Sequence, residues 1–418
     1  MDAHSPKPKI LHVLSQRPSR TGSGVTLDSM VRCADNAGYP QIAVVGTPSD
    51  DHQPEVGELA ASDVYPFVFG GDVPFDLPGM SDVMPYATRR WASLTDTEID
   101  QYVLAWSRHL EEVIDRVQPD LIHSHHIWLL SSILKDVAAE IPVVTHCHAT
   151  GLRQMELCPH LAQRVVAGCR RNDAFCVLHR EHAQQLETIL DLTPERIHTV
   201  AAGYREDLFH AQQRSQEMTP TVVFAGKFSQ AKGLPWLLDA VDRLSSTVPQ
   251  LKLHVAGSGS GAEADALRNR MASMSQVQMH GMLSQAELGA LLRRCQVFVL
   301  PSMYEGLPLV LVEAVASGCH VVCTALPGVT RELQPALGTA LCLVPLPAMR
   351  TIDQPDPTGL PQFVSELTTA IQRAIDRPLP ELPAGAKQFT WPSVFQRVER
   401  IWSELLGKAP VSANDQAG

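Results

Sequence analysis

Short apolar runs alternate with amphipathic segments along almost the whole chain, a pattern typical of parallel sheets whose strands are joined by helices. Six runs predict the strands of a first sheet: 9–15, 41–46, 120–125, 142–147, 174–179 and 197–203. Six more predict a second sheet: 221–226, 251–257, 277–281, 297–301, 320–325 and 340–345. The pattern therefore predicts an α/β protein with two parallel-sheet domains.

The domain boundary is expected near residue 210, where the polar stretch 210–220 has no apolar period and predicts a linker. The first domain would then span 1–209 and the second 210–388. An amphipathic segment at 389–407 predicts a helix that packs back on the first domain, and 409–418 predict a disordered tail. Residues 48–96 are rich in Pro, Gly and Asp and predict a long irregular excursion.

Composition narrows the class of protein. The net charge of −11 disfavours a nucleic-acid partner, because neutralising phosphates needs a basic face. No tract of about 18 apolar residues predicts a membrane span, and the first residues lack an apolar signal region, so a cytoplasmic location is expected. The nine cysteines are irregularly spaced and often fall in apolar strands, which predicts reduced core thiols.

Two glutamates separated by seven residues, Glu305 and Glu313, mark the strongest candidate site. They lie where the apolar run ending at Pro301 turns into a helix that Pro308 would open and Gly318 would close. A helix start offers free amides and a partial positive charge, and nearby carboxylates can accept hydrogen bonds from sugar or ribose hydroxyls. Surface glutamates also occur at this spacing by chance, so the pair alone is weak evidence.

Two glycine-rich or basic turns follow strands in the same way. Gly22, Ser23 and Gly24 precede a helix in the first domain, where glycines can adopt positive φ angles and let amides approach a diphosphate. Lys227 and Lys232 flank a turn that opens the second domain and could clamp a diphosphate. A plain tight turn and two solvated lysines explain these features about as well.

Histidines are concentrated after two predicted strands of the first domain: His123, His125, His126, His146 and His148. Ligands collect at the carboxyl ends of parallel strands, so hydroxyl or phosphate contacts are the favoured interpretation, with His148 the best candidate. The spacing also suggests a metal site with Cys147 and Cys158, but no recognisable ligand set completes it. Structural imidazoles remain an alternative for each of them.

Together these features resemble the GT4-type retaining glycosyltransferases of the GT-B fold, in which two Rossmann-like domains face each other across a cleft. The resemblance covers most of the chain. The second-domain segments that carry it are AGKFSQAKGLPWLLDA, VAGSGS and VQMHGMLSQAELGALLRRCQVFVLPSMYEGLPLVLVEAVASG. Weaker landmarks in the first domain are PDLIHSHH, VVTHCHATGLRQ and AAGYREDLF.

The resemblance implies a nucleoside-diphosphate sugar as donor, held mainly by the second domain, and retention at the anomeric carbon without a metal or other cofactor. Lys227 and Lys232 would bind the diphosphate, Glu313 the ribose, and Glu305 the donor sugar. His148 would contact the donor sugar or its phosphate. Further donor contacts are implied for Gly22, Ser23, Gly24, Gly226, Gly257, Gly281, Met282, Leu283, Gly306 and Leu307.

Three positions depart from the family pattern. Lys227 replaces the usual arginine, Ala149 replaces a frequent glycine, and Gly203 follows alanine where Asn-Gly is common. These departures bear on the sugar contacts. A UDP-sugar is the commonest donor of the family, and the negative net charge favours a small-molecule acceptor over a lipid one, with peripheral membrane contact left open. A sugar phosphorylase, a nucleotide-sugar epimerase and a non-catalytic sugar-nucleotide-binding scaffold are the alternatives.

Overall fold

The computed structural model describes residues 6–18, 21–80, 84, 86–212, 214, 219–351 and 354–407. Two compact units make up the chain: Met1–Ala202 with Trp391–Gly418, and Gly203–Thr390. The first boundary thus falls a few residues before the predicted one. The predicted tail 409–418 lies outside the described residues, as do residues 213 and 215–218 of the predicted linker.

The first unit contains a seven-stranded parallel sheet in the order β3-β2-β1-β6-β7-β8-β9. Its strands are β1 Ile10–Leu14, β2 Gln41–Thr47, β3 Val64–Val68, β6 Leu121–His125, β7 Val143–His146, β8 Ala174–Val177 and β9 Ile197–Thr199. A separate parallel pair is formed by β4 Pro78–Gly79 and β5 Arg89–Arg90. The helices are α1 Gly22–Asn36, α2 Asp96–Val117, α3 Leu129–Ser132, α4 Leu134–Val137, α5 Ala149–Leu157, α6 Pro159–Cys169, α7 Arg180–Leu190 and α14 Trp391–Leu405.

The second unit contains a six-stranded parallel sheet in the order β12-β11-β10-β13-β14-β15. Its strands are β10 Thr221–Ala225, β11 Lys252–Ala256, β12 Val277–Gly281, β13 Val297–Leu300, β14 His320–Thr324 and β15 Leu341–Val344. Its helices are α8 Leu234–Ser245, α9 Ala262–Ser273, α10 Gln285–Leu292, α11 Leu309–Ala316, α12 Gln334–Leu337 and α13 Leu360–Ile375. The predicted α/β class with two parallel sheets is confirmed.

The excursion 48–96 is not wholly irregular, so that prediction was wrong in part. It contains β3, which pairs with β2 at the edge of the first sheet. Pro66 lies inside β3 and removes one ladder donor, which only an edge strand tolerates. The short strands β4 and β5 also fall within this segment.

The carboxyl-terminal helix α14 belongs to the first unit, as predicted. Its apolar face, which includes Phe395 and Trp402, packs in one core cluster with Ile10, Met30 and Cys176. Tyr39 donates a hydrogen bond to Glu399 of α14 at 2.8 Å, and Arg397 donates to the carbonyl of Val200 at 3.0 Å.

No helix in the described parts of the chain is both long and apolar enough to cross a membrane.

Candidate active site

Three glycines lie side by side at the carboxyl ends of neighbouring strands in the second unit. The amide of Gly226 donates to Ala256 at 3.0 Å, and the amide of Gly257 donates to Gly281 at 2.7 Å. Gly257 has a φ of +126°, and a Cβ atom there would lie 1.9 Å from the carbonyl oxygen of Gly226. Only glycine fits so close an approach. The three predicted donor-binding glycines 226, 257 and 281 are thus brought together as one backbone surface.

Lys232 and Glu305 meet at the same edge of the sheet, because β10 and β13 are neighbours. Lys232 Nζ lies 2.6 Å from Glu305 Oε1, and their side chains are 31% and 14% exposed. The same oxygen accepts a hydrogen bond from Ser302 Oγ at 2.8 Å. A cation and a carboxylate that are 73 residues apart in sequence therefore form one partly buried pair.

The two loops that carry this pair are tied by their backbones. Met303 donates its amide hydrogen to the carbonyl of Ala231 at 2.9 Å. Gly233 has a φ of +72°, and a Cβ atom there would lie 1.9 Å from the carbonyl oxygen of Pro301. The backbones of the loop before α8 and the loop before α11 are therefore held together, which keeps the two residues of the ion pair close to each other.

Helix α11 begins at Leu309, and Pro308 is its N-cap rather than the first helical residue that was predicted. The difference is one residue and leaves Glu313 in the second turn. Within the described chain, the amides of Gly306 and Leu307 donate no hydrogen bond. The first turns of α8 and α11 contain no acidic residue, so the positive ends of both helix dipoles are not neutralised there. These features suit an anion or a hydroxyl-rich ligand.

Glu313 is 9% exposed and its carboxylate has no hydrogen-bond partner among the described residues. Burial raises its pKa to about 7, because transfer from water disfavours the charged form. A buried carboxylate without a partner is costly unless a ligand supplies donors. Among the predicted site residues, Glu313 is thus the one that a bound hydrogen-bond donor would stabilise most.

The other predicted residues of the second unit border this edge. Lys227 is exposed and forms no ion pair with the described residues. Met282 is 74% exposed directly after β12, and Leu283 is partly exposed. Tyr304, which was not predicted, is 53% exposed next to Glu305. Exposed apolar side chains beside polar groups are typical of ligand sites.

In the first unit, Gly22, Ser23 and Gly24 form the first turn of α1 instead of a loop with positive φ angles, so that part of the prediction was wrong. Thr21 is the N-cap and accepts a hydrogen bond from the Gly24 amide at 3.2 Å, which favours a regular helix start. Gly22 is exposed, and a Cβ atom there would contact nothing within 4 Å. The turn still presents a helix amino terminus.

His148 is the N-cap of α5, at the carboxyl end of β7. It is 9% exposed, and its Nε2 forms a hydrogen bond of 3.2 Å with Nδ1 of His125, so its Nδ1 is the nitrogen left for a ligand. Burial lowers the pKa of His148 well below the usual range, and the neighbouring imidazoles add to the effect. The ring is therefore neutral near pH 7 and can act as a hydrogen-bond donor or acceptor.

His148 is one end of a cluster of buried imidazoles that runs along one face of the sheet. Its members are His12, His123, His125, His126, His146 and His148, with ring centroids 4.8 to 5.9 Å apart. Neither ring nitrogen of His146 has a hydrogen-bond partner in the described chain. Burial lowers the pKa of every member, so the cluster is neutral in the folded protein.

Three side chains of this region, His123, His146 and Cys176, each place one potential metal ligand within 4.8 Å of the others. Trp402 Nε1 donates a hydrogen bond to Nδ1 of His123 at 3.2 Å. Because an indole nitrogen can only donate, the proton of neutral His123 must lie on Nε2, which then has no lone pair for a metal. Two ligands remain, fewer than a zinc site uses. This hydrogen bond disfavours a metal at the cluster.

Sequence reasoning missed Ser302 and underrated His126. Ser302 is fully buried and contacts Glu305, but a serine after a strand is too common to signal a site. His126 has a φ of +70°, which is unusual for a non-glycine residue and is often found at functional sites. Its Nδ1 lies 3.2 Å from Oγ1 of Thr150 in α5.

Comparison with known families gives two matches. The model described as "Glycosyl transferases group 1" matches residues 219–348, and the one described as "Glycosyl transferase 4-like domain" matches residues 21–203. Together they span more than half of the chain. A relative named D-inositol 3-phosphate glycosyltransferase 1, from Catenulispora acidiphila, is 26% identical over 321 residues, which are 69% of this chain and 72% of the relative.

Solved structures give the same fold. Sucrose-phosphate synthase from Thermosynechococcus elongatus has a TM-score of 0.68 at 16% identity, covering 96% of this chain and 99% of that one. The Anabaena protein HepE, solved in complex with UDP and glucose, has a TM-score of 0.57 at 16% identity, covering 95% and 99%. At such identities the matches establish the fold, which is GT-B.

Proposed function

Because the chain belongs to the group 1 glycosyltransferases with a GT4-like domain, we propose that it moves a hexose from a nucleoside-diphosphate sugar to a small-molecule acceptor, with retention at the anomeric carbon. UDP is the nucleotide we favour. One observation carries the proposal: Lys232 and Glu305 are held together beside unbonded amides at the carboxyl edge of a parallel sheet. Ligands of such sheets bind at this edge.

The second unit would hold the donor. Lys227 and Lys232 would bind the diphosphate through their positive charges. The amino termini of α8 and α11 would add to this, because neither helix has an acidic residue in its first turn. Glu313 would accept hydrogen bonds from the ribose hydroxyls, which would stabilise its buried charge. Glu305 and the amides of Gly306 and Leu307 would hold the sugar. Structural likeness to HepE, solved with UDP and glucose, supports UDP as the first nucleotide to test.

Four residues of the first unit would complete the donor contacts. Gly22, Ser23 and Gly24 offer a helix amino terminus for the phosphates. His148 offers a neutral imidazole for the sugar or its phosphate. A neutral ring is suited to hydrogen bonding with sugar hydroxyls.

The acceptor would lie against the excursion that follows β2. Gln16 ties this segment to the end of β1, donating to the carbonyl of Pro78 at 2.8 Å and accepting from the hydroxyl of Tyr86 at 3.1 Å. Gln154 of α5 donates to the carbonyl of Met80 at 3.2 Å. The segment is therefore fixed against two elements that reach the carboxyl edge. The name of the inositol 3-phosphate relative supports a small hydroxylated acceptor.

The proposed step breaks the bond between the anomeric carbon and the oxygen of the distal phosphate and forms a bond from that carbon to an acceptor oxygen on the same face. The acceptor proton passes to the departing phosphate oxygen, so the diphosphate serves as both leaving group and base. Lys227, Lys232 and the helix amino termini would stabilise the charge that develops on it. No metal is required, because the lysines supply the positive charge.

The first experiment is a thermal-shift panel of UDP-, GDP- and ADP-sugars, with and without EDTA, since a ligand that binds only the folded state raises the melting temperature. A selective rise that survives EDTA is expected, and it would identify the donor. Dependence on a divalent metal would contradict the metal-independent site. No rise with any sugar nucleotide would contradict both the proposed donor site and the sugar-nucleotide-binding scaffold. In a separate activity assay, use of free phosphate or turnover of the donor without an acceptor would favour the phosphorylase or epimerase alternative.

The ion pair makes a prediction about double substitution. Lys232→Ala leaves Glu305 as an unneutralised carboxylate beside the diphosphate, so affinity for UDP should fall about tenfold or more, by the usual cost of a close like charge. Adding Glu305→Gln should recover part of this loss. Calorimetric binding of UDP measures both effects.

Lys227→Ala is the matched control, because Lys227 has no ion-pair partner among the described residues. Its loss of UDP affinity should be the same with or without Glu305→Gln. If Glu305→Gln recovered UDP affinity equally in Lys232→Ala and in Lys227→Ala, an electrostatic coupling specific to Lys232 would be contradicted.

A further inference from the structure

One oxygen of Glu305 receives both hydrogen bonds that the carboxylate accepts. Oε1 lies 2.6 Å from Lys232 Nζ and 2.8 Å from Ser302 Oγ. The other oxygen, Oε2, accepts no hydrogen bond from the described residues. The carboxylate is therefore oriented from one side, and Oε2 is the oxygen left for a ligand.

The two donors to Oε1 differ in how firmly they are held. Ser302 is fully buried, and the next residue, Met303, is hydrogen-bonded through its backbone to Ala231. The Lys232 side chain is 31% exposed, carries a full charge and has a flexible stem. A bound diphosphate would attract the ammonium of Lys232 strongly and leave the neutral hydroxyl of Ser302 where it is.

We propose that Ser302 is a positioning residue of the transfer reaction: its hydroxyl keeps Oε1 of Glu305 in place when Lys232 turns to the diphosphate, so that Oε2 stays aimed at the donor sugar. This inference rests on the proposed function and deepens it. In it, Lys232 changes its partner: it pairs with Glu305 before the donor binds and with the diphosphate afterwards. Ser302 alone then fixes the carboxylate.

The proposal separates recognition of the sugar from recognition of the nucleotide. In this proposal UDP alone makes no hydrogen bond to Glu305, and the charge of Glu305 is the same in Ser302→Ala, so losing the Ser302 hydroxyl should leave the dissociation constant of UDP unchanged. UDP-glucose needs Glu305 in place, so its affinity should fall. The ratio of the two dissociation constants therefore reports on positioning, whereas a general loss of structure would weaken both ligands together.

The test compares calorimetric binding of UDP and UDP-glucose to the wild type and Ser302→Ala, or of the matching GDP or ADP pair if the panel selects that base. We expect the preference for UDP-glucose over UDP to fall about tenfold in Ser302→Ala, as for loss of a hydrogen bond to a charged group. Ser302→Thr, which keeps the hydroxyl, should recover most of it. In a Glu305→Gln background, Ser302→Ala should change the ratio little.

Ser317→Ala is the matched control. Ser317 is also fully buried, but it caps the carboxyl end of α11, away from Glu305, and its hydroxyl has no hydrogen-bond partner in the described chain, so the ratio should stay at the wild-type value. An unchanged ratio in Ser302→Ala, with a wild type that binds UDP-glucose, would overturn this inference alone. A wild type that binds no sugar nucleotide would instead overturn the proposed function. If Ser302→Ala fails to fold, Ser302→Cys, which keeps the size and weakens the donor, gives the same comparison.

Discussion

At the scale of single residues, Glu313 joins stability to binding. Its carboxyl group is buried without a charged partner, and its pKa rises from the ordinary 4.5 to about 7. The folded state therefore holds this proton more tightly than the unfolded chain. Stability from this group is greatest below pH 4.5, falls as the pH rises to 7 and stays low above that. A ligand that donates hydrogen bonds to the carboxylate would reverse this disadvantage.

Glu313→Gln should consequently stabilise the protein at pH 8 and lower its affinity for UDP. The shift in pKa corresponds to about 3 kcal/mol in the free energy of unfolding as an upper value. The gain over the wild type should shrink at pH 5.5, where the wild-type carboxyl is already protonated, while affinity for UDP should fall at pH 8. Urea unfolding at the two pH values and UDP calorimetry measure these effects.

Glu381→Gln, at an exposed position, serves as the control and should change neither quantity. A stabilisation by Glu313→Gln that is equal at pH 5.5 and pH 8 would show that burial of the charge is not its cause.

At the scale of elements, the three strand-end glycines differ in what they require. A Cβ atom at Gly257 would lie 1.9 Å from the carbonyl oxygen of Gly226, whereas one at Gly281 would meet nothing within 4 Å. Both residues have positive φ angles, of +126° and +69°. Gly257→Ala should therefore force β10 and β11 apart, and Gly281→Ala should cost only about 1 kcal/mol for the left-handed backbone. Urea unfolding compares the two, and equal losses would contradict this account.

Periodicity in the sequence located the inner strands because each carries an apolar run. It missed β3, since this strand is half-exposed at an edge and contains Pro66, a residue that argues against a strand. It also could not bring Lys232 to Glu305, because that contact depends on β10 and β13 being neighbours, which is a matter of strand order and not of local pattern. The resemblance supplied both residues but not the hydrogen bond that Ser302 donates to Glu305.

The first turn of α1 is a second place where the local sequence pattern was misleading. Glycines at 22 and 24 suggested a loop, yet Thr21 caps the segment and makes it helical. A single capping side chain outweighed two residues of low helix propensity.

At the scale of the whole molecule, the buried imidazoles make acid sensitivity a property of the first unit. Burial lowers the pKa of His12 and His146 to about 4, that of His126 to about 3, and that of the other three well below the usual range. Below pH 6.5 these histidines bind protons in the unfolded chain but stay neutral in the folded unit. Stability is therefore complete above pH 6.5 and is lost as the pH falls toward 4, by about 1 kcal/mol per histidine per pH unit.

Unfolding of the first unit should accordingly shift to much lower urea concentration between pH 7.5 and pH 5.5, ahead of the second unit. Tryptophan fluorescence reports this directly, because Trp236 is the only one of the six tryptophans in the second unit. His146→Asn should make the pH dependence shallower. A urea midpoint that does not move between these pH values would contradict the role given to the cluster.

Helix α14 has a consequence for how the protein is made. Its Trp402 lies against His12 and His123 in the core of the first unit, yet it is synthesised after the entire second unit, Gly203–Thr390. During synthesis from the amino terminus, one face of the first sheet therefore stays uncovered while nearly two hundred further residues are added, until α14 emerges from the ribosome. The second unit, being continuous in sequence, can reach its final form earlier than the one that precedes it.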